Sequence, residues 1–320
     1  MRLTDSPGAP VLIEDNAPQP EPGPGELLIS VHAAGVTPTE LLWYPTKHAK
    51  DGAERSRVIP GHEFSGIISA TGEETAGFDI GQQVFGLNDW FSDGAMAEYC
   101  ITQPSAVALK PPGLTHVEAA SVPIGGLTAW QGLFDRAKLR AGERVLVHGA
   151  AGAVGVFAVQ LARYHGARVI ATASARNMEF VTHLGAEQVI DYQKTRFEVE
   201  VRDVDVVFDT VGGETLSRSW SVIKPSGRVV TIAADSEKQT DERVKQAFFI
   251  VEPNQRQLVR IGDLLEAGHL QPVVDTVVPL SESTAAFQGK IPERRGRGKV
   301  VVAVVAQGTT NMPGLRGPQR

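Results

Sequence analysis

Small residues cluster at Gly149-Ala150-Ala151-Gly152-Ala153-Val154-Gly155, directly after the apolar run Val145-Leu146-Val147-His148. An apolar stretch of helical character follows from Val154 to His165. A helix N-terminus presents unpaired N–H groups and a partial positive charge, which is the chemistry that holds a phosphate. Aligned to G-x-G-x-x-G, the three positions are Ala150, Gly152 and Gly155. Ala150 keeps the turn tight if its φ is negative, Gly152 admits a pyrophosphate, and Gly155 lets the helix pack against the strand. Strand, turn and helix together read as the opening unit of a dinucleotide-binding domain.

The end of the next strand selects the dinucleotide. An acid placed about 20 residues beyond the turn holds a ribose 2′-hydroxyl and repels a 2′-phosphate. This chain has Ala171-Thr172-Ala173-Ser174-Ala175-Arg176-Asn177 there, with no acid before Glu179. Ser174 and Arg176 offer charge-assisted hydrogen bonds to a phosphate, and Tyr192 adds a hydroxyl. The expected cofactor is NADP(H). The other reading of Arg176 is a solvated cation at a helix start.

These residues need elements to position them. From residue 144 strands and helices alternate: strands 144–149, 168–173, 188–192, 205–210 and 228–233, helices 154–165, 175–184 and 214–223. That order implies an α/β fold with a doubly wound parallel sheet. A further helix spans 255–270, and 272–280 follows it. The first 120 residues read instead as β-rich, with strands at 26–34, 64–70, 83–85, 97–102 and 106–110 punctuated by Gly and Pro. The strand at 298–305 is expected to close that first sheet, and 306–320 reads as a tail.

The totals set bounds. At roughly 100–200 residues per domain, 320 residues suggest two domains. A net charge of −6 argues against nucleic acid, and the one basic cluster, Arg294-Arg295-Gly296-Arg297, is too short to reverse that. A single cysteine, Cys100, excludes an internal disulfide and a four-cysteine zinc site. No apolar run reaches the roughly 18 residues of a membrane span, and no signal-peptide pattern opens the chain. The default expectation is a cytoplasmic protein.

Several motifs arrive in an order that resembles a known family. They are Ala33-Ala34-Gly35-Val36, Pro60-Gly61-His62-Glu63-Phe64-Ser65-Gly66, Val84-Phe85-Gly86, Gly94-Ala95-Met96-Ala97-Glu98-Tyr99 and Leu127-Thr128-Ala129-Trp130. After the glycine turn come Leu184-Gly185-Ala186, Asp191-Tyr192, Asp209-Thr210-Val211-Gly212-Gly213 and Gly298-Lys299-Val300-Val301. From about residue 8 to 305 the chain resembles a medium-chain dehydrogenase/reductase of the zinc-free quinone oxidoreductase, zeta-crystallin-like, branch. The resemblance implies a GroES-like catalytic domain from residues 1–121 and 266–305 and a Rossmann domain from 122–265, with the active site between them. It implies that Thr128, Ala151, Gly152, Ala153 and Val154 line the pyrophosphate, and that Ser174, Arg176 and Tyr192 surround the 2′-phosphate. It places Val211, Ile232 and Ala233 beside the ribose and nicotinamide, and Phe249 and Val251 near the carboxamide. The family often has Lys where Asn177 stands. A homodimer through the strand near Phe248-Phe249-Ile250-Val251 is also implied.

Related zinc enzymes carry Gly-Val-Cys-x-Thr-Asp, and the matching run here is Gly35-Val36-Thr37-Pro38-Thr39-Glu40. Thr37 replaces the thiolate, and a neutral hydroxyl is a poor zinc ligand, so no metal is expected. His62 reads as a hydrogen-bonded structural residue or, less simply, as a cleft residue. Without a Lewis acid the natural acceptor is already electrophilic: a quinone or an α,β-unsaturated carbonyl compound. Thr37 is a candidate for hydrogen bonding a substrate oxygen, and Tyr44 for donating a proton or binding a carbonyl. The simpler reading of Tyr44 is an aromatic wall residue or a loop residue pointing to solvent. Trp43, Trp90 and Phe91 suggest an aromatic pocket or core packing. The competing readings are a non-catalytic NADPH sensor and an alcohol dehydrogenase with an altered metal site.

Overall fold

The fold comes from a computed structural model describing residues 1–3, 11–237, 239–292 and 294–305. The expected tail at 306–320 lies outside these residues. Short strands β1 (Arg2–Leu3) and β2 (Leu12–Ile13) pair with each other. Then come β3 (Leu27–Gly35), β4 (Glu63–Thr71), β5 (Gln83–Leu87), β6 (Tyr99–Thr102) and β7 (Val107–Leu109). The middle of the chain holds β8 (Arg144–Val147), β9 (Arg168–Ala173), β10 (Gln188–Asp191), β11 (Val204–Asp209) and β12 (Ile223–Thr231). Last are β13 (Val274–Pro279) and β14 (Lys299–Ala303).

The middle strands form one parallel sheet in the order β10-β9-β8-β11-β12. Val145, Leu146, Val147, Val206, Val207 and Phe208 are fully buried, as strands covered on both faces require. The strand order reverses between β8 and β11. Ligands of such sheets bind at that switch point, beyond the strand C-termini. The glycine turn after β8 and the loop 210–213 after β11 both end there.

The other strands form a seven-stranded sheet, β13-β14-β3-β4-β5-β7, with β6 also on β3. β14 runs antiparallel to β3, with Val301 opposite Gly35 and Ala303 opposite Ala33. The chain end therefore joins the β-rich first part. This register sets Lys299, the first residue of β14, beside the loop that leaves β3.

Two differences from the sequence reading have physical causes. The helix expected at 214–223 is Gly213–Ser219, and Ile223 already pairs with Val204 in the sheet. Helices His116–Ala120 and Pro123–Trp130, the latter continuing as a π-helical turn over Gln131–Arg136, are absent from that reading. Pro123 sits at the helix start, where proline is tolerated, but Gly125 and Gly126 argue against a helix by propensity, and tertiary packing overrides them. A side chain at Gly125 would overlap the Ala153 carbonyl and the Phe157 ring. The glycine lets this helix lie against the phosphate turn.

His148 ends the β8 segment inside the core. Its Nδ1 lies 3.1 Å from Thr172 Oγ1 and its Nε2 3.0 Å from Ser219 Oγ. Burial pushes the imidazole down to about 3 from 6.5. The unfolded chain takes up a proton below about pH 6.5 that the folded chain refuses. The stability this contributes is whole above that pH and declines as pH falls toward 3, by a total on the order of a few kcal/mol. Thermal melts at about pH 7 and about pH 4 check this against His148→Asn. Wild type is expected to lose more Tm over the interval than the variant, and equal losses contradict the assignment.

Candidate functional site

The phosphate end is built by the turn after β8. Gly149 adopts φ 69°, a left-handed conformation that favours glycine, whereas Ala150 does not. The sharp bend thus falls one residue before the position expected from the motif. A Cβ at Gly155 would overlap the Gly149 carbonyl and Ala150 Cα, so the helix Gly155–Tyr164 starts hard against the turn. Gly152 is exposed, and among the described residues the N–H groups of Ala153 and Val154 have no acceptor. Ala151 is buried, and its carbonyl accepts the Gly298 N–H at 2.8 Å. Thr128 is buried one turn beyond Gly125, on the helix that meets Ala153.

The end of β9 is cationic. Ser174 is half-buried, while Arg176 and Tyr192 are exposed. The cluster Arg294–Arg297, too short for nucleic acid, lies here. Gly296 rests against the Arg176 guanidinium. Arg297 donates from Nε to Asn177 Oδ1 at 2.9 Å and from Nη2 to the Arg176 carbonyl at 3.1 Å. Asn177 is buried and donates to the Gly296 carbonyl at 3.2 Å. Its amide thus joins the end of β9 to the segment before β14.

The loop after β11 is organised by Asp209. Its carboxylate accepts the Val211 and Gly212 N–H groups and the Thr231 hydroxyl at 2.7 Å. Burial pushes this carboxyl up, against the pull of those donors. Val211 is exposed at the switch point, with Ile232 and Ala233 just beyond β12. The Phe249 ring is spent in the core, near Gly132 and under Arg136. Val251 is buried, and its carbonyl accepts the Trp90 indole N–H at 2.9 Å. That bond ties the β-rich part to the parallel-sheet part. Within the parallel-sheet part, Gln131 fixes the next residue, accepting the Glu252 N–H and donating to the Glu252 carbonyl.

The chemical end lies around Thr37. Glu63 opens β4 and forms a buried ion pair with Lys299, which opens β14. Glu63 Oε2 also accepts the Ile124 N–H at 3.0 Å. Burial pushes its carboxyl up, opposed by the ammonium and that N–H. Lys299 Nζ donates to Thr37 Oγ1 at 3.1 Å. Glu40 accepts from Gly61 N–H and His62 Nδ1 at 2.6 and 2.7 Å, and His62 Nε2 lies 3.3 Å from the Ser92 carbonyl. The structural reading of His62 therefore holds. With a hydroxyl at Thr37, both His62 nitrogens engaged and an ammonium among them, this cluster does not suit a divalent cation. Among the described residues no group of three or more His, Cys, Asp and Glu is arranged to hold a metal.

Trp90 packs edge-on to Trp43 at 5.1 Å and tilted against His62 at 5.1 Å, forming an aromatic wall. Tyr44 stands apart, 54% exposed and stacked on His48 at 4.2 Å. Sequence reasoning gives no role to Lys299, Arg297 or Gln131. For Lys299 a signal exists: a lone charge opening the apolar strand Lys-Val-Val-Val needs a buried partner.

Comparison with known proteins places this geometry. The family description "Alcohol dehydrogenase GroES-like domain" matches residues 23–112, and "Zinc-binding dehydrogenase" matches residues 184–302. A "Probable zinc-binding oxidoreductase, mitochondrial" of Arthroderma benhamiae is 33% identical over 90% of this chain and 92% of its own. A 2-methylene-furan-3-one reductase of Solanum lycopersicum is 32% identical over 91% of this chain and 74% of its own. The solved quinone oxidoreductase of Coxiella burnetii superposes with a TM-score of 0.83 at 30% identity, covering 95% of this chain and 98% of that one. No described helix is long and apolar enough to cross a membrane. With a GroES-like domain joined to a Rossmann-type sheet and relatives that match along nearly its whole length, the chain belongs to the medium-chain dehydrogenase/reductase superfamily of oxidoreductases.

Proposed function

We propose that the chain is a zinc-independent, NADPH-dependent reductase of quinones or of the activated C=C bond in α,β-unsaturated carbonyl compounds. One observation carries the reading: an acid-free, arginine-flanked strand end after β9 is linked, through residues 296–299, to a polar cluster whose cation is an ammonium. The relatives named above as a furanone reductase and a quinone oxidoreductase support the same acceptor classes.

The residues present fit NADP(H). Gly152, Ala153 and Val154 offer open backbone to the pyrophosphate, flanked by Ala151 and Thr128. Ser174, Arg176 and Tyr192 meet the 2′-phosphate, with Arg297 bracing Arg176 from behind. Val211, Ile232 and Ala233 border the ribose and nicotinamide, and the backbone of Phe249 and Val251 borders the carboxamide. When bound, NADPH supplies the hydride. The chain must then orient the acceptor and exclude water. Trp43 and Trp90 offer flat apolar surface to a planar acceptor. Of the two candidate hydroxyls, Thr37 is held by the buried cluster, whereas Tyr44 sits at the exposed rim.

The same reading assigns residues 1–121 and 266–305 to the catalytic domain and 122–265 to the cofactor domain. It also takes the protein as a cytoplasmic homodimer. Phe248 makes an isolated bridge to Thr231 and Ile250 is exposed, so this edge is open to a second copy.

Arg176→Ala is expected to raise the Kd for NADPH by about tenfold, as loss of a charge-assisted hydrogen bond implies, and to leave NADH binding unchanged. Fluorescence titration of both nucleotides checks this, and an unchanged NADPH Kd contradicts the assignment. In a screen of enones and quinones, acceptor-dependent NADPH consumption is expected without added metal and in the presence of a chelator. Tight NADPH binding with no acceptor consumed favours the sensor reading instead.

A further inference from the structure

We infer that Lys299 is the fixed positive charge of the active site and that it acts on substrate through the Thr37 hydroxyl. The inference rests on the reductase reading and deepens it, by naming the groups that receive charge developing on the acceptor oxygen.

Lys299 is 4% exposed and reaches solvent poorly, whereas Thr37 is only half-buried. The ammonium is wedged between the Glu63 carboxylate and Thr37 Oγ1. Its N–H fills one lone pair of the hydroxyl oxygen. Among the described residues the Thr37 hydroxyl proton has no acceptor, so it is free to point outward. The backbone around it is fixed, since the Val36 N–H bonds the Val300 carbonyl at 2.9 Å and the Glu40 N–H bonds the Thr37 carbonyl at 3.0 Å. A hydroxyl that accepts from an ammonium is a stronger donor, because hydrogen bonds in a chain polarise one another.

This suits conjugate reduction. Hydride adds to the β-carbon of an enone, and the C=C electron pair moves toward the carbonyl oxygen. The resulting enolate oxygen accepts the Thr37 O–H hydrogen bond, with the Lys299 charge behind it. Water then protonates the α-carbon, so two electrons and two hydrogens enter the product. Donors held in place for a developing oxyanion need no reorganisation during reaction. Lys299 is thus a positioning residue and Thr37 the residue that touches substrate.

Thr37→Val keeps the shape and removes the hydroxyl without touching the ion pair. Its kcat with an enone is expected to fall by about 10²–10³-fold, the loss typical of one oxyanion donor, with the NADPH Kd unchanged. Thr37→Ser should restore most of the rate. Lys299→Met, or Glu63→Gln with Lys299→Met if the single variant does not fold, should lower kcat similarly. Adding either to Thr37→Val should cost little more. A readout without turnover uses 4-nitrophenol as an enolate mimic on the NADP⁺-loaded protein, followed by its phenolate absorbance. Wild type should favour the phenolate about tenfold more than Thr37→Val, one unit in the mimic's apparent pKa. Equal ionisation on both proteins, or wild-type kcat in Thr37→Val, overturns the inference. A wild type inactive with every acceptor that still favours phenolate through Thr37 overturns the reductase reading alone.

Discussion

The Lys299 ammonium is buried against Glu63, and that pairing fixes where the last strand of the β-rich sheet begins. Removing one member of a buried pair leaves an uncompensated charge and costs about 3–5 kcal/mol. The start of β14 is therefore pinned, and the residues before it are pinned with it. Gly298 donates to the Ala151 carbonyl of the phosphate turn, and Arg297 holds the backbone of Arg176 and the side chain of Asn177. Within four residues, Gly296 to Lys299, the chain touches Arg176 and Asn177 at the end of β9, the glycine turn after β8 and the cluster around Thr37. None of these three can move far without the others.

The two sheets are joined at further points. Trp90, from the β-rich part, donates to the Val251 carbonyl of the parallel-sheet part. Phe85 and Leu87 of the β-rich sheet share a core with Val145, Val147 and Phe157 of the parallel one. Such burial stabilises by about 1.5–3 kcal/mol for each of these larger apolar side chains. The two sheets are thus held to each other by packed side chains as well as by hydrogen bonds.

Much of this architecture is legible in the amino-acid sequence. The β-branched runs mark the parallel strands, because strands covered on both faces must be apolar throughout. The glycine turn is legible because phosphate chemistry demands small residues there. The helix over 123–136 is not, since the Gly125-Gly126 pair opposes helix formation and only tertiary contacts explain it, Gly125 against Ala153 and Gly126 against Ile261. The basic tetrad Arg294–Arg297 is misleading in one dimension because its partner, Arg176, lies more than a hundred residues away. Thr37 is visible as a missing thiolate. The ammonium beside it is not, because only the pairing of β14 with β3 brings Lys299 there.

The most direct test of the account is a crystal structure with NADP⁺ and an unreactive carbonyl analogue of an enone. The account predicts the carbonyl oxygen on Thr37 Oγ1, Lys299 Nζ directly behind that oxygen, and the 2′-phosphate on Arg176. A metal ion between Thr37 and Glu63 with Lys299 displaced, or a carbonyl turned away toward Tyr44, would contradict it.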